Sequence, residues 1–91
     1  MPKKYIPSSK ENTFNSKIGE KSLVLLNDNT NTFNHVIDCL ISLCDHDPIQ
    51  AEQCAMLTHH KGSCEVLLGE SFDLELVKND LILYGLNVEV R

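Results

Sequence analysis

The chain has 91 residues, of which 42% are hydrophobic and 23% charged, with a net charge of −5 and a pI near 5.2. This length predicts one small domain with a limited core, so we expect its function at the surface rather than in a deep cleft. The excess of acidic over basic residues argues against nucleic acid and anionic membrane as partners. No apolar run reaches the length of about 18 residues that predicts a bilayer span.

Residues 1–20 are predominantly polar. Their apolar residues Tyr5, Ile6, Phe14 and Ile18 are too sparse to order the segment by burial, so we predict a mobile extension ahead of a domain at residues 21–91. The extension also lacks the apolar stretch of a secretory signal, which makes the cytoplasm the expected location.

The domain opens with an apolar run at residues 22–27 that predicts a buried strand. A polar loop follows and ends at Thr32, a suitable N-cap for a helix from Phe33 to Leu43. The apolar positions of that helix recur at helical spacing: Val36, Ile37, Leu40, Leu43 and Cys44.

A second helix is predicted from Pro48 to about Lys61, because Asp47 can cap it and Gly62 can end it. Residues 63–69 form a second apolar run and predict a second strand. A third helix begins at Ser71 and ends at the Tyr84–Gly85 pair. Residues 86–90 alternate between apolar and polar side chains, which predicts a final strand. The order β-α-α-β-α-β predicts an α+β domain with three helices packed on one face of a small sheet.

Four cysteines stand at positions 39, 44, 54 and 64, with spacings of five, ten and ten. The cytoplasmic interpretation disfavours disulfides, and the absence of a C-x-x-C pair disfavours structural zinc. We therefore expect the cysteines to serve as small buried hydrophobic residues.

The histidines offer weak alternatives. A metal site would recruit His59 and His60 with Cys64, or with Asp45 and Asp47. Adjacent residues of a helix project about 100° apart, however, so the two histidines make poor co-ligands. A thiol enzyme would pair Cys64 with His59, but no pattern supplies an oxyanion hole or an orienting third group. No phosphate-loop, dinucleotide or H-E-x-x-H motif occurs, so we predict no catalytic residue, cofactor or metal.

Hydrogen-bond acceptors crowd the end of the first strand, where Asn27, Asp28, Asn29 and Asn31 lie close together. Ordinary turn chemistry explains such a cluster, because Asn and Asp bond their own backbone and tolerate left-handed conformations. His59 falls in the last turn of the second helix, where it could equally serve as a C-terminal capping residue.

Two stretches carry a family resemblance, "VLLNDNTNTFNHVIDCL" and "QAEQCAMLTHHKGSCEVL". They resemble the ATP-dependent Clp protease adaptors of the ClpS family, and the resemblance extends over residues 21–91. It implies a three-stranded antiparallel sheet, as also found in the ribosomal-stalk C-terminal domain.

The implied function is that of an N-degron adaptor. Such adaptors bind proteins that begin with a free α-amino group on Leu, Phe, Tyr or Trp, and deliver them through the N-terminal domain of an AAA+ Clp unfoldase for proteolysis. The extension would then be dispensable for peptide binding but needed for delivery.

The resemblance also assigns site residues. The α-amino group would be bound by Asn27, Asp28, Asn29 and His59, with the Asn27 amide oxygen and a neutral His59 nitrogen as acceptors. A hydrophobic pocket for the first side chain would be formed by Asn31, Phe33, Val36, Ala55 and Thr58. Phe33 would act as a gate over it, the alternative being a core aromatic at the start of the helix.

Three positions depart from the family pattern. Asn29 stands where many members have Asp, which removes a charge near the ammonium group. Ala55 replaces a common Met and is expected to deepen the pocket enough to admit β-branched first residues. Thr58 replaces an aliphatic residue and is expected to make one wall more polar.

Two other functions remain open from the sequence. One is a binding module of the same fold with another ligand, either a ribosomal-stalk-like domain or an adaptor that regulates a Clp unfoldase without recognising N-degrons. The other is the small thiol enzyme built on Cys64.

Overall fold

The structure is a computed structural model that describes residues 5–7 and 20–91. The elements in chain order are β1 (Tyr5–Pro7), β2 (Lys21–Leu26), α1 (Phe33–Cys44), α2 (Pro48–Lys61), β3 (Ser63–Gly69), α3 (Ser71–Leu83) and β4 (Val88–Val90). From β2 onward this is the predicted β-α-α-β-α-β order, which is confirmed, with boundaries that differ from the predicted ones by at most two residues.

The sheet is antiparallel throughout and has the strand order β1-β3-β2-β4. Strand β2 lies in the interior of the sheet, where Leu25 is opposite Cys64 of β3 on one side and Val88 of β4 on the other. The β2–β3 register shifts between Leu23 and Val24. These three strands form the antiparallel sheet that the ClpS resemblance implies.

Strand β1 was not predicted from the sequence. Its register places Ile6 opposite Leu68 of β3, within the segment that we expected to be a mobile extension. Three residues carry too little apolar periodicity to predict a strand, and β1 pairs with a strand more than 50 positions away. The rest of the expected extension, residues 1–4 and 8–19, lies outside the described residues.

The core lies between the sheet and the helices. Its largest fully buried side chains are Leu23, Leu40, Leu67, Leu74 and Leu81, which come from β2, α1, β3 and α3. Burial of each contributes about 1.5–3 kcal/mol, so these residues hold the helices against the sheet. Of the predicted apolar positions on α1, Leu40 and Cys44 are buried, and the remaining three are half-buried and pack against this core.

The predicted N-caps begin α1 and α2. The Thr32 hydroxyl accepts the backbone N–H of His35 at 3.1 Å, and the Asp47 carboxylate accepts that of Gln50 at 2.8 Å. Gly62 ends α2 with φ +94°. None of the helices in the described part of the chain is long and apolar enough to cross a membrane.

The conformation of Gly62 gives a test of the fold. A Cβ at this position would meet no atom within 4 Å, so replacement costs only the left-handed backbone conformation. We expect Gly62→Ala to lower the free energy of unfolding by about 1–2 kcal/mol, measured by urea denaturation. Gly62→Asn is the matched control and should cost less, because Asn adopts this conformation more readily. Equal stability of both variants and the parent chain would contradict the left-handed turn.

Candidate functional site

A pocket of about 440 Å³ lies where four segments of the chain meet. The segments are the end of β2 with the loop that follows it, the first turn of α1, the C-terminal half of α2, and the residue that follows the α3–β4 turn. The lining residues are Leu25, Leu26, Asn27, Asp28, Asn29, Asn31, Phe33, Val36, Ala55, Thr58, His59 and Leu86.

Backbone hydrogen bonds bring these segments together. The N–H of Asn27 donates to the carbonyl of Gly62 at 3.0 Å, which ties the end of β2 to the end of α2. The N–H of Leu26 donates to the carbonyl of Asn87 at 2.8 Å, which ties β2 to the residue before β4. The position of Asn27 in the pocket is thus set by the sheet and by the helix end that carries His59.

The polar loop is organised around the carboxylate of Asp28. Its Oδ1 accepts the backbone N–H of Thr30 and of Asn31, both at 3.0 Å, and the Thr30 hydroxyl at 3.2 Å. Its Oδ2 accepts the Asn31 amide at 2.9 Å. Partial burial raises the pKa of the Asp28 carboxyl, but the four hydrogen bonds outweigh it, so this pKa lies below its ordinary value of 3.8. Asp28 therefore carries a fixed negative charge at neutral pH.

Two side chains fasten this loop to the turn between α3 and β4. The Asn31 amide nitrogen donates to the Gly85 carbonyl at 2.9 Å as well as to Asp28. His35 Nε2 donates to the Tyr84 carbonyl at 2.8 Å. Both bonds hold the start of α1 beside the turn that leads to Leu86, so the loop has a fixed position over the pocket.

The apolar part of the pocket comes from α1, α2 and the residue after the turn. Ala55 and Leu86 are buried and Val36 is half-buried, whereas Phe33 is 43% exposed. That exposure excludes the alternative in which Phe33 is a core aromatic at the start of the helix. Phe33 lines the pocket and directly follows the polar loop in the sequence.

Thr58 lines the pocket while remaining buried. Its hydroxyl donates to the Cys54 carbonyl four residues earlier, at 2.9 Å. Because the hydroxyl proton is already donated within α2, Thr58 has no free hydrogen-bond donor for a ligand, and the α2 wall is less polar than the sequence predicted.

His59 lies on the exposed end of α2 beside the polar loop. Its ring contacts that of His60 edge-on, with centroids 5.2 Å apart and an interplanar angle of 73°. Of the two neighbouring histidines, His59 is the one that lines the pocket. The lining of the pocket thus has a polar part, made of a carboxylate, three amides and an imidazole, and an apolar part.

Comparisons with known proteins identify the family of this domain. The family model described as "ATP-dependent Clp protease adaptor protein ClpS" matches residues 20–87. The chain belongs to the ClpS family. ClpS proteins are adaptors of the Clp protease and are not catalytic, which fits the expectation of a non-enzyme.

Structural similarity supports the ClpS fold independently. The structure of this chain matches 18 chains of solved structures. One of them is Agrobacterium tumefaciens ClpS2 bound to L-phenylalaninamide, with a TM-score of 0.78 and 18% sequence identity over 82% of this chain and 98% of the other. The comparison with curated protein sequences gave no significant match.

All nine residues that the ClpS resemblance assigned to the site line this one pocket. Three further lining residues, Leu25, Leu26 and Leu86, were missed. Each belongs to a stretch that predicts a strand, Leu25 and Leu26 near its end and Leu86 at its start, and the sequence gives no sign that these strand ends border a cavity.

Cys64 does not have the environment of a histidine-activated thiol. Its sulfur lies 2.7 Å from the sulfur of Cys54 and 3.3 Å from the Glu65 carbonyl oxygen, and its described hydrogen bonds are made with these groups rather than with His59. Within residues 5–7 and 20–91, no cluster of three or more His, Cys, Asp or Glu side chains could hold a metal ion.

The Asp28 network gives a pH-dependent prediction. Because the pKa of Asp28 is lowered in the folded state, its contribution to stability is present above the unfolded value of about 3.9 and is lost as pH falls through the folded value. We expect Asp28→Ala to lower the free energy of unfolding at pH 7 by at most about 1 kcal/mol, since solvent screens this loop.

Urea denaturation from pH 7 to pH 3 measures this effect, with Asp38→Ala as a control for an exposed carboxylate on α1. The difference between the parent chain and Asp28→Ala should shrink below about pH 4. A difference that stays constant over the whole range would contradict the role given to the carboxylate.

Proposed function

We propose that this ClpS domain binds N-degrons, that is, polypeptides with a free α-amino group on a bulky apolar first residue. The observation that carries the proposal is the composition of one pocket, in which hydrogen-bond acceptors and a fixed negative charge adjoin an apolar cavity. An amino-terminal residue with a large side chain has the same two parts, a cation and an apolar group, joined by one carbon atom.

The polar end of the pocket suits an α-ammonium group. Such a group carries three N–H donors, and each needs an acceptor when the ammonium is partly desolvated. We assign the side-chain oxygen of Asn27 and a neutral ring nitrogen of His59 as two acceptors. The Asp28 carboxylate supplies the opposite charge, which matters more in this chain because Asn29 is neutral. Charge-assisted hydrogen bonds of this kind contribute about 1.5–3 kcal/mol each.

The apolar end suits the first side chain. Burial of a Leu or Phe side chain against Val36, Ala55 and Leu86 contributes about 1.5–3 kcal/mol, with Phe33 placed to close over it. The L-phenylalaninamide bound by the Agrobacterium protein combines a free amine with an aromatic side chain, which is the ligand chemistry that we propose. When the cost of association is subtracted from these hydrogen-bond and burial contributions, the remaining binding free energy corresponds to a Kd of about a micromolar.

Delivery is the second half of the proposed function. The family acts with Clp proteases, and we propose that this chain presents bound N-degrons in the cytoplasm to the N-terminal domain of an AAA+ Clp unfoldase. Residues 1–20 are then needed for delivery rather than for binding of the peptide.

Three peptides test the recognition of a free amino terminus. By fluorescence anisotropy, we expect Leu- or Phe-initiated peptides to bind with a Kd of about a micromolar. The N-acetylated peptide loses the charge and the donors, and a Gly-initiated peptide loses the apolar side chain, so both should bind at least about tenfold more weakly.

Equal binding of all three peptides, or binding of none, would overturn the N-degron proposal. If none binds but the chain still associates with the N-terminal domain of a Clp unfoldase, a regulatory role without N-degron recognition is the correct interpretation.

His59 can be tested against its neighbour. His59→Ala should weaken binding of a Leu-initiated peptide by about tenfold, the value of one hydrogen bond to a charged group. His60→Ala, an exposed neighbour outside the pocket, should change affinity less than about twofold. Equal affinity of the parent chain and His59→Ala, or an equal loss in His60→Ala, would rule out the acceptor role.

Ala55 is expected to set the tolerance for β-branched first residues. The parent chain should bind Leu- and Ile-initiated peptides with similar affinity, because Ala leaves room beside the branch at Cβ. Ala55→Met narrows the pocket and should weaken the Ile peptide by about tenfold more than the Leu peptide. Met56→Ala, at an exposed position next to it, serves as the control. Complete rejection of the Ile peptide by the parent chain would refute the deeper pocket.

A further inference from the structure

Two thiols lie in direct contact behind the α2 wall of the pocket. The Cys54 thiol donates a hydrogen bond to the Cys64 sulfur at a distance of 2.7 Å. Cys54 is on α2 and Cys64 is the second residue of β3, so the contact joins the helix to the sheet. The tight turn at Gly62 brings them together, because it reverses the chain between residues that are ten positions apart.

We propose that Cys54 and Cys64 form a site of reversible disulfide formation, oxidised by low-molecular-weight disulfides such as glutathione disulfide. The two sulfur atoms need only a short approach, and both residues belong to elements already held in place by the core. This proposal is independent of N-degron binding, because it rests on the sulfur contact alone.

The two cysteines differ in the way that thiol–disulfide exchange requires. Cys54 is buried, whereas Cys64 is half-buried and so can be reached by a small disulfide. The hydrogen bond from Cys54 lowers the pKa of the Cys64 thiol below its ordinary value, although burial and the Glu65 carboxylate oppose this. The same hydrogen bond, together with burial, raises the pKa of the Cys54 thiol. Cys64 is therefore the attacking thiol and Cys54 the resolving thiol.

The reaction proceeds in two balanced steps. The Cys64 thiolate attacks one sulfur of glutathione disulfide, which forms a mixed disulfide and releases one glutathione thiolate. Cys54 loses its proton to that thiolate and attacks the Cys64 sulfur, which releases the second glutathione thiolate. The protein loses two electrons and two protons, and glutathione disulfide is reduced to two molecules of glutathione.

The bridge would act on the pocket through α2. Cys54 is adjacent in sequence to Ala55, and its carbonyl accepts the hydroxyl of Thr58, so two residues of the pocket wall are connected directly to it. Oxidation fastens this part of α2 covalently to β3. Cys39 and Cys44 lie in α1 and take no part in the bridge.

A redox titration of the full chain tests the proposal. The reduced protein is equilibrated in buffers of increasing glutathione disulfide, acid-quenched, alkylated in denaturant and analysed by intact mass and peptide mapping. Since the chain has four cysteines, we expect the oxidised form to keep two alkylated thiols and to yield a linked peptide pair containing Cys54 and Cys64. Cys64→Ser should abolish the link, and Cys39→Ala should retain it.

Four alkylated thiols in an excess of glutathione disulfide would overturn the proposal. A glutathione adduct on Cys64 that is never resolved, or a bridge that involves Cys39 or Cys44, would overturn it as well.

The reactivity of Cys64 provides a second measurement. Native-state alkylation at neutral pH should be fastest at Cys64, and Cys54→Ala should slow it at least about threefold by removing the donor that stabilises the thiolate. Cys54→Ser keeps a hydroxyl donor and should preserve most of the rate. Equal rates in the parent chain and in Cys54→Ala would contradict the assignment of Cys64 as the attacking thiol.

Discussion

The side-chain amide of Asn31 makes the interaction on which the arrangement of the pocket depends. Its nitrogen donates to the Asp28 carboxylate and to the Gly85 carbonyl, both at 2.9 Å. The first bond shapes the polar loop, and the second fastens that loop to the turn between α3 and β4. Without them, the acceptor groups and the apolar wall would belong to segments free to move apart, and a ligand would have to order them at the cost of its own binding energy.

Preorganisation of this kind suits a chain of only 91 residues. A small domain has little core to support a separate binding site, so the same residues must stabilise the fold and contact the ligand. Asp28 illustrates this double use, because its carboxylate holds the loop and supplies the negative charge of the pocket. A substitution there changes the stability of the loop and the charge of the pocket together, whereas Asn29 is exposed and can vary with less effect on the fold.

Much of the fold could be predicted from the sequence because its signals are local. The caps at Thr32, Asp47 and Gly62 mark helix ends by side-chain and backbone chemistry that needs no distant partner. The residues that line the pocket were selected through the resemblance to ClpS, since turn chemistry alone explained the polar loop equally well. Leu86 and the contact between Cys54 and Cys64 could not be predicted, because both depend on how distant segments approach one another in space.

Strand β1 has a consequence for the behaviour of the sheet as a surface. The strand order leaves β3 next to the edge, and β1 covers its outer hydrogen-bonding groups over Leu67–Gly69. An uncovered strand presents rows of N–H and C=O groups that can pair with a strand of a second molecule. Pro7 has no backbone N–H, so β1 is itself a poor template for such pairing. This short strand therefore protects the edge of β3 from pairing with a strand of a second molecule.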